Sequence, residues 1–401
     1  MTSISDDYVK YLKKSPVFAG SLGSKELFHS NLWAYLIEQK QEFMNAFFGD
    51  KFKPGVDQIV EDKQTGEFAR REKLNMDLLV VTKDKVFVIE NKIKSLPRIE
   101  QLKQYEESIN NHFPHIKEKH FLLTGIRKEK PSHLAGLDEW KYKSYREISN
   151  GIRKELKFCE KENYYSYANE YCDVIVKLSE LMKLGVDGIK NKFFFAQFID
   201  KKTIYPNSDL LKEITRLRLG DIFQKLNADS FAKKVREEIA RKGLCLSLSG
   251  LICNSGFTHG NSLAEFFFEE KKVLNKENKS KKKKTEYVRI GVQIQGTQFR
   301  WYIEAKKEKR VPEDVIYNKG IKLNWFFEKK ENKIEYPTLE EHETPMTKSY
   351  CLFKTTNDMF VYQYHNIGED GCDFGTLSDE VISFLMIAKT KVLDIKKEFL
   401  T

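Results

Sequence analysis

The 401-residue chain is poor in cysteine and proline, with six and nine respectively, and it has no apolar run long enough to cross a bilayer. The cysteines, at 159, 172, 245, 253, 351 and 372, form no C-x-x-C pair. That excludes a zinc knuckle or thioredoxin-like motif, and their sparseness suits a reducing cytosol. The longest apolar stretches, Phe193–Ile199 and Val381–Ala388, fall far short of the ~20 residues a membrane helix needs. The opening Met1-Thr-Ser-Ile-Ser-Asp-Asp is polar and acidic, without the basic start and apolar core of a secretory signal. The eight histidines are scattered; His112 and His115 flank Pro114 in a stretch read as an exposed loop, so no zinc site follows from them. These absences lead to the expectation of a cytoplasmic protein with no membrane contact.

What the chain does have is aromatic residues and charge. Twenty-nine Phe and eighteen Tyr require a packed interior, and the length suits two or three domains. The net charge of +10 is uneven: residues 1–180 carry 30 Lys and Arg against 28 Asp and Glu, so nearly all the surplus falls later. Most of it sits in Lys271–Lys284, which holds eight Lys and one Glu. Such a run either tracks a phosphate backbone, chiefly through Lys281, Lys282, Lys283 and Lys284, or is a solvated charged loop.

Apolar spacing predicts a helix from Lys25 to about Phe48, closed by Gly49, then a polar irregular segment to Lys73. Two β-type runs follow, Met76–Val81 and Val86–Ile93, separated by Thr82-Lys83-Asp84-Lys85. Next come a helix marked by Ile99, Leu102, Tyr105 and Ile109, a strand at Lys119–Ile126, another at Trp140–Tyr145 and a helix at Glu147–Phe158. Residues 160–242 read as helical, with Asp209–Leu226 and Ser230–Lys242 as separate helices. Short β-type runs then dominate, including Leu244–Asn254, Tyr287–Ala305 and Ile321–Glu328, before a closing helix at Leu377–Leu400. The expected division is 1–160, a helical connection at 161–243, and an α+β domain with a mainly antiparallel sheet at 244–401. No internal repeat is visible.

The chemistry gathers in the first β pair. If Thr82–Lys85 closes a hairpin, Val81 faces Val86, paired residue numbers sum to 167, and Asp77 faces Glu90. Lys92, two residues past Glu90, shares that face, while Leu78, Val80, Phe87, Ile89 and Ile93 take the other. Opposed carboxylates repel unless a cation sits between them, and hard oxygen ligands suit Mg²⁺ or Mn²⁺. The plain alternative is a cross-strand salt-bridge cluster on a solvated face. The Gly20–Lys25 segment has Gly, Ser and Lys but not the spacing of a phosphate-binding loop.

The string MDLLVVTKDKVFVIENKIKSLPRIEQLKQY resembles the PD-(D/E)XK nuclease superfamily. Asp77 matches the motif aspartate, Glu90-Asn91-Lys92 the E-x-K triplet, and Gln101 a glutamine that several branches place beside the site. Met76 stands where the superfamily name has proline. The upstream KELFHSNLWAYLIE resembles the N-terminal helix of a bacterial branch, which would make Glu26 a further site carboxylate; His29 and Ser30 read as packing or hydrogen-bonding residues. The resemblance covers roughly residues 24–150. It implies a restriction-endonuclease-like α-β-β-β-α-β core within an α/β chain. It also implies metal-dependent hydrolysis of phosphodiesters, in DNA rather than RNA, with defence against foreign DNA as the setting. Asp77, Glu90, the Asn91 carbonyl and Glu26 would hold Mg²⁺ or Mn²⁺, and Lys92 would orient the attacking water. The competing reading is a catalytically silent module that binds nucleic acid or a protein partner. Homo-oligomers and a partner on the C-terminal half are both compatible with the sequence.

The lysine run separates its two readings by salt. Each phosphate contact steepens the log–log salt dependence of duplex binding by ~0.9. Replacing Lys281–Lys284 with Ser should flatten the slope by several units if the run tracks phosphates; an unchanged slope in a filter-binding titration assigns it to solvated charge.

Overall fold

The computed structural model describes residues 4–21, 25–92, 99–131, 134, 137–188, 192–193, 197–199, 202–204, 213–214, 216–258, 261–274, 284–296, 298–307, 311–326, 349–352, 358–367 and 372–400. The chain divides into two compact units, residues 1–188 with 209–223, and residues 189–208 with 224–401. Both mix helix and sheet.

In the first unit, helices α1 (Ile4–Lys14), α2 (Pro16–Ser21), α3 (Lys25–Gln39) and α4 (Met44–Phe48) precede a five-stranded sheet. Its strands are β1 (Ala69–Arg71), β2 (Leu78–Val81), β3 (Lys85–Lys92), β4 (Glu118–Gly125) and β5 (Trp140–Ser144), with α5 (Ile99–His112) between β3 and β4. Spatial order equals chain order: β1, β2 and β3 pair antiparallel, and β3, β4 and β5 pair parallel. Helices α6 (Tyr145–Leu156) and α7 (Tyr165–Gly188) follow.

A parallel core requires cover on both faces, and β3 is buried from Lys85 to Asn91. On one face Leu79, Val81, Val86 and Val88 meet the α5 stripe of Leu102, Tyr105 and Ile109, together with Phe121 and Leu123. The opposite face carries Phe87, whose ring lies 4.8 Å from Phe48 and 5.8 Å from Phe52. The plain alternative of a solvated charged face on this hairpin is not what the structure has: the face that carries Glu90 continues the buried Val86–Val88 stripe.

Three other differences have local causes. The single helix expected from Lys25 to Phe48 breaks at Lys40, whose backbone is extended (φ −157°, ψ 113°), and the break turns Phe43, Met44 and Phe47 into the core. Strand β1 lies inside the segment read as irregular; three residues are too few to display a period of two. Helix α6 starts at Tyr145, two residues before the expected start, because Ser144 and Glu147 form a reciprocal capping box.

The second unit has three short strands, β6 (Lys192–Phe193), β7 (Gln197–Ile199) and β8 (Lys202–Ile204). Helix α8 (Gly220–Arg241), which enters this unit at Gln224, is continuous where two helices were expected. The main sheet comprises β9 (Ile252–Thr258), β10 (Asn261–Leu274), β11 (Lys284–Gln295), β12 (Gln298–Lys306), β13 (Ser349–Leu352) and β14 (Asp358–Asn366), with α9 (Glu313–Lys322) between β12 and β13. The two-residue β15 (Cys372–Asp373) precedes α10 (Phe374–Leu400). The spatial order is β13-β14-β12-β11-β10-β9, antiparallel throughout. Phe266, Ile290, Trp301 and Ile303 form its core with Phe231 and Val235 of α8 and Leu385 and Ala388 of α10.

The strand expected at Ile321–Glu328 is not formed over its described part, Ile321–Phe326. Ile321 and Lys322 end α9, Asn324 adopts a left-handed backbone (φ 52°), and Phe326 folds back onto Gly320 so closely that a Cβ there would meet the ring at 2.1 Å. The lysine run also differs from a simple loop: Lys271 and Lys272 belong to β10, and Leu274 pairs with Lys284 of β11.

Gly151 of α6 rests on α4, where a Cβ would approach the Ala46 Cα to 2.7 Å and its Cβ to 2.9 Å. In an open helix Gly→Ala stabilises by about 1 kcal/mol. Gly151→Ala should instead destabilise the first unit by about 1–3 kcal/mol through overpacking, read as a lower midpoint in thermal unfolding.

Candidate active site

The β2–β3 hairpin closes through Lys83 and Asp84: the Thr82 N–H donates to the Lys85 carbonyl at 2.8 Å, and the Lys85 N–H donates to Thr82 Oγ1 at 2.9 Å. The turn sets the register Val81–Val86, Val80–Phe87, Leu79–Val88 and Leu78–Ile89, which is the arithmetic expected from sequence. Asp77 stands one residue before β2. It is delivered by a tight left-handed bend, with positive φ at Glu72 (50°), Leu74 (57°) and Asn75 (63°). Non-glycine residues adopt this backbone at a cost of roughly 1–2 kcal/mol each. Such strain concentrates where surrounding structure holds a functional group in place.

Asp77 Oδ2 accepts a hydrogen bond from the Asn91 N–H at 2.6 Å, which ties the start of β2 to the end of β3. Glu90 is 1% exposed, and its Oε1 lies 2.6 Å from Lys92 Nζ. Burial, and then the negative charge of Asp77, push the Glu90 carboxyl up to about 7 against the opposing pull of Lys92. Its second oxygen, Oε2, is buried without a hydrogen-bond partner among the described residues. A buried carboxylate oxygen left unpaired is costly unless a cation or proton meets it.

Asp77, Glu90 and the Asn91 carbonyl offer oxygen donors only, a set that fits a hard divalent cation. Among the described residues no cluster of three or more His, Cys, Asp or Glu forms a metal-binding group. Glu26 stands in the first turn of α3, and its side chain lies outside the described residues.

The remaining expected site residues fall as follows. Gln101 Nε2 donates to Tyr105 Oη at 2.6 Å, one turn along α5. Burial and the nearby Glu90 charge raise the Tyr105 hydroxyl above its ordinary value, so this pair borders the carboxylates. Lys281, Lys282 and Lys283 lie outside the described residues, as does the side chain of Lys284. His29 is a packing residue: burial pushes its imidazole down to about 3, and Nδ1 lies 2.9 Å from Tyr171 Oη.

Two residues near the site were not identified as such from sequence. Ser30 Oγ accepts from Asn91 Nδ2 at 3.1 Å, and the Tyr145 hydroxyl donates to Asn91 Oδ1. Ser30 was read only as a packing or hydrogen-bonding residue, and nothing near Tyr145 in sequence marks it.

The site is thus an antiparallel hairpin carrying two carboxylates and a following lysine, joined through a crossover helix to parallel strands. Residues 17–174 match the family model of the PD-(D/E)XK nuclease superfamily, which bears out the resemblance read from the E-x-K string. The match points to a nuclease-type function on nucleic acid, and nucleases of this superfamily generally use divalent metal ions. No curated protein and no solved structure matches the chain. Among the described residues no helix is long and apolar enough to cross a membrane.

The raised Glu90 carboxyl has a consequence for stability. Its folded value of about 7 exceeds the ordinary 4.5, so its contribution to the metal-free protein is fully present below pH 4.5 and is lost as pH rises through about 7. Glu90→Gln should therefore stabilise the chelator-treated protein at pH 8 by on the order of 1–3 kcal/mol, with little change at pH 4.5. Thermal unfolding in EDTA at the two pH values measures this; a destabilised variant at pH 8 contradicts it.

Proposed function

We propose that the chain is a divalent-metal-dependent nuclease that hydrolyses phosphodiester bonds in DNA, with Asp77, Glu90 and Lys92 as its catalytic residues. The observation that carries this reading is the buried Glu90 carboxylate beside the half-buried Asp77, with Oε1 2.6 Å from the Lys92 ammonium and Oε2 buried without a hydrogen-bond partner among the described residues. Mg²⁺ is the proposed ion, with Mn²⁺ a substitute. Defence against foreign DNA is the proposed setting, by analogy with the superfamily.

Asp77, Glu90 and the Asn91 carbonyl would hold the ion, with Glu26 as a further ligand. When bound, the ion neutralises phosphate charge and lowers the pKa of water. A bound cation would favour the ionised form of Glu90, whose carboxyl burial and the Asp77 charge otherwise push up to about 7. Lys92 leaves its ion pair with Glu90 far enough to orient the attacking water and to stabilise charge developing on phosphorus. Gln101, fixed by Tyr105, positions the phosphate or the water from the α5 side. The water gives up a proton to solvent and attacks in line with the leaving 3′ oxygen; the P–O3′ bond breaks, O3′ takes up a proton to leave as a hydroxyl, and the other product carries a 5′ phosphate, so no side chain becomes covalently attached.

Purified protein should cleave plasmid or single-stranded DNA with Mg²⁺ or Mn²⁺, lose activity in EDTA and regain it on adding metal. Asp77→Ala, Glu90→Ala and Lys92→Ala should each lower the rate at least about 100-fold while retaining a cooperative melt. Three folded variants with near wild-type rates would sink the assignment. Cleavage of RNA in preference to DNA would overturn the substrate class alone.

A further inference from the structure

Asn91 sits between the two motif residues on β3, and strand alternation sends its side chain to the opposite face from Glu90 and Lys92. There it is wholly buried, 0% exposed, and both ends of its amide are engaged. Nδ2 donates to Ser30 of α3 at 3.1 Å, and Oδ1 accepts from Tyr145 at the start of α6. Its backbone N–H meanwhile donates to Asp77 Oδ2 at 2.6 Å.

One residue thus touches four elements of the unit: β3, the approach to β2, α3 and α6. The partners are themselves confined. The Tyr145 ring lies 5.0 Å from His29 and 5.5 Å from Trp33, and Trp33 Nε1 donates to Tyr171 Oη at 3.0 Å. A leucine at position 91 would bury no amide but would take this partner from the Ser30 and Tyr145 hydroxyls. A buried polar side chain at such a point costs stability unless its bonds serve another purpose.

We infer that Asn91 is a positioning residue: gripped by Ser30 and Tyr145, it fixes the separation of Asp77 from Glu90 and Lys92, and thereby sets the affinity of the site for a divalent cation. The inference rests on the nuclease reading for the identity of the site, but not on turnover. Any displacement of Asn91 moves Glu90 and Lys92 through the chain and Asp77 through its hydrogen bond. The Asn91 side chain acts on the ion through its own main-chain carbonyl and the neighbouring carboxylates, in the way outer partners of metal ligands commonly tune affinity by 10- to 100-fold.

The test is Mn²⁺ binding to the full chain, followed by electron paramagnetic resonance at pH 8, alongside thermal melts. Tyr145→Phe, which removes a single oxygen, and Ser30→Ala should each weaken Mn²⁺ binding about 10- to 100-fold. Ser30→Thr, which keeps the hydroxyl, should recover most of the loss. Ser149→Ala is the structural control: it deletes another buried hydroxyl of the same unit, bonded to the Cys172 carbonyl at 3.2 Å, and should lower the melt without changing Mn²⁺ affinity. Wild-type affinity in both Tyr145→Phe and Ser30→Ala overturns the inference, as does an equal loss in Ser149→Ala. If the wild type binds Mn²⁺ but cleaves no nucleic acid, the nuclease reading fails while the variant affinities still decide the role of Asn91. A wild type that binds no Mn²⁺ overturns the inference directly.

Discussion

Two carboxylates opposed across a buried antiparallel hairpin repel each other, and the first unit is organised around containing that repulsion. Water screens such a pair on a surface; inside a covered sheet it does not. The structure answers in three ways: Asp77 is tied down by the Asn91 N–H, Glu90 is paired with Lys92, and the remaining charge is relieved by a carboxyl that takes a proton at about pH 7. Each device is also what a cation site needs. On the proposed reading the anchored aspartate would be a fixed ligand, a cation would replace the proton on Glu90, and Lys92, 2.6 Å from Glu90, stands beside both.

The surrounding fold keeps those groups where they are. Parallel pairing of β3 with β4, and of β4 with β5, requires cover on both faces, which buries Glu90 on the α5 side and Asn91 on the α3 side. Burial on the first side raises the Glu90 carboxyl; burial on the second makes the hydrogen bonds of Asn91 worth more than they would be in water. The left-handed bend at Glu72–Asn75 spends conformational energy to bring Asp77 opposite Glu90.

Much of this was legible from the residues. A four-residue connection and a strict period of two fix a hairpin register, so the pairing of Leu78 with Ile89 followed from arithmetic, and the family match supports the motif reading. The α5 stripe of Leu102, Tyr105 and Ile109 was equally plain. What escaped depends on distant partners. Alternating residues showed that Glu90 and Lys92 share a face, but not that the face is covered, because cover comes from a helix beyond the strand. Ser30 and Tyr145 stand 61 and 54 positions from Asn91, and no local pattern links them. The break at Lys40 and the fold-back of Phe326 onto Gly320 are likewise set by packing and not by propensity. The capping box at Ser144 and Glu147 is different: its S-x-x-E signature was present in the sequence and would have set the start of α6.

The claim on which everything else rests is that Asp77 and Glu90 share one divalent cation. The direct measurement is a crystal structure of the wild-type protein soaked in Mn²⁺, with anomalous scattering used to locate the metal. The account predicts a single strong peak within ligand distance of one carboxylate oxygen from Asp77 and of Glu90 Oε2. A peak elsewhere in the unit, or an Asp77–Glu90 pair that stays metal-free with Lys92 still bridging Glu90 at millimolar Mn²⁺, would contradict it.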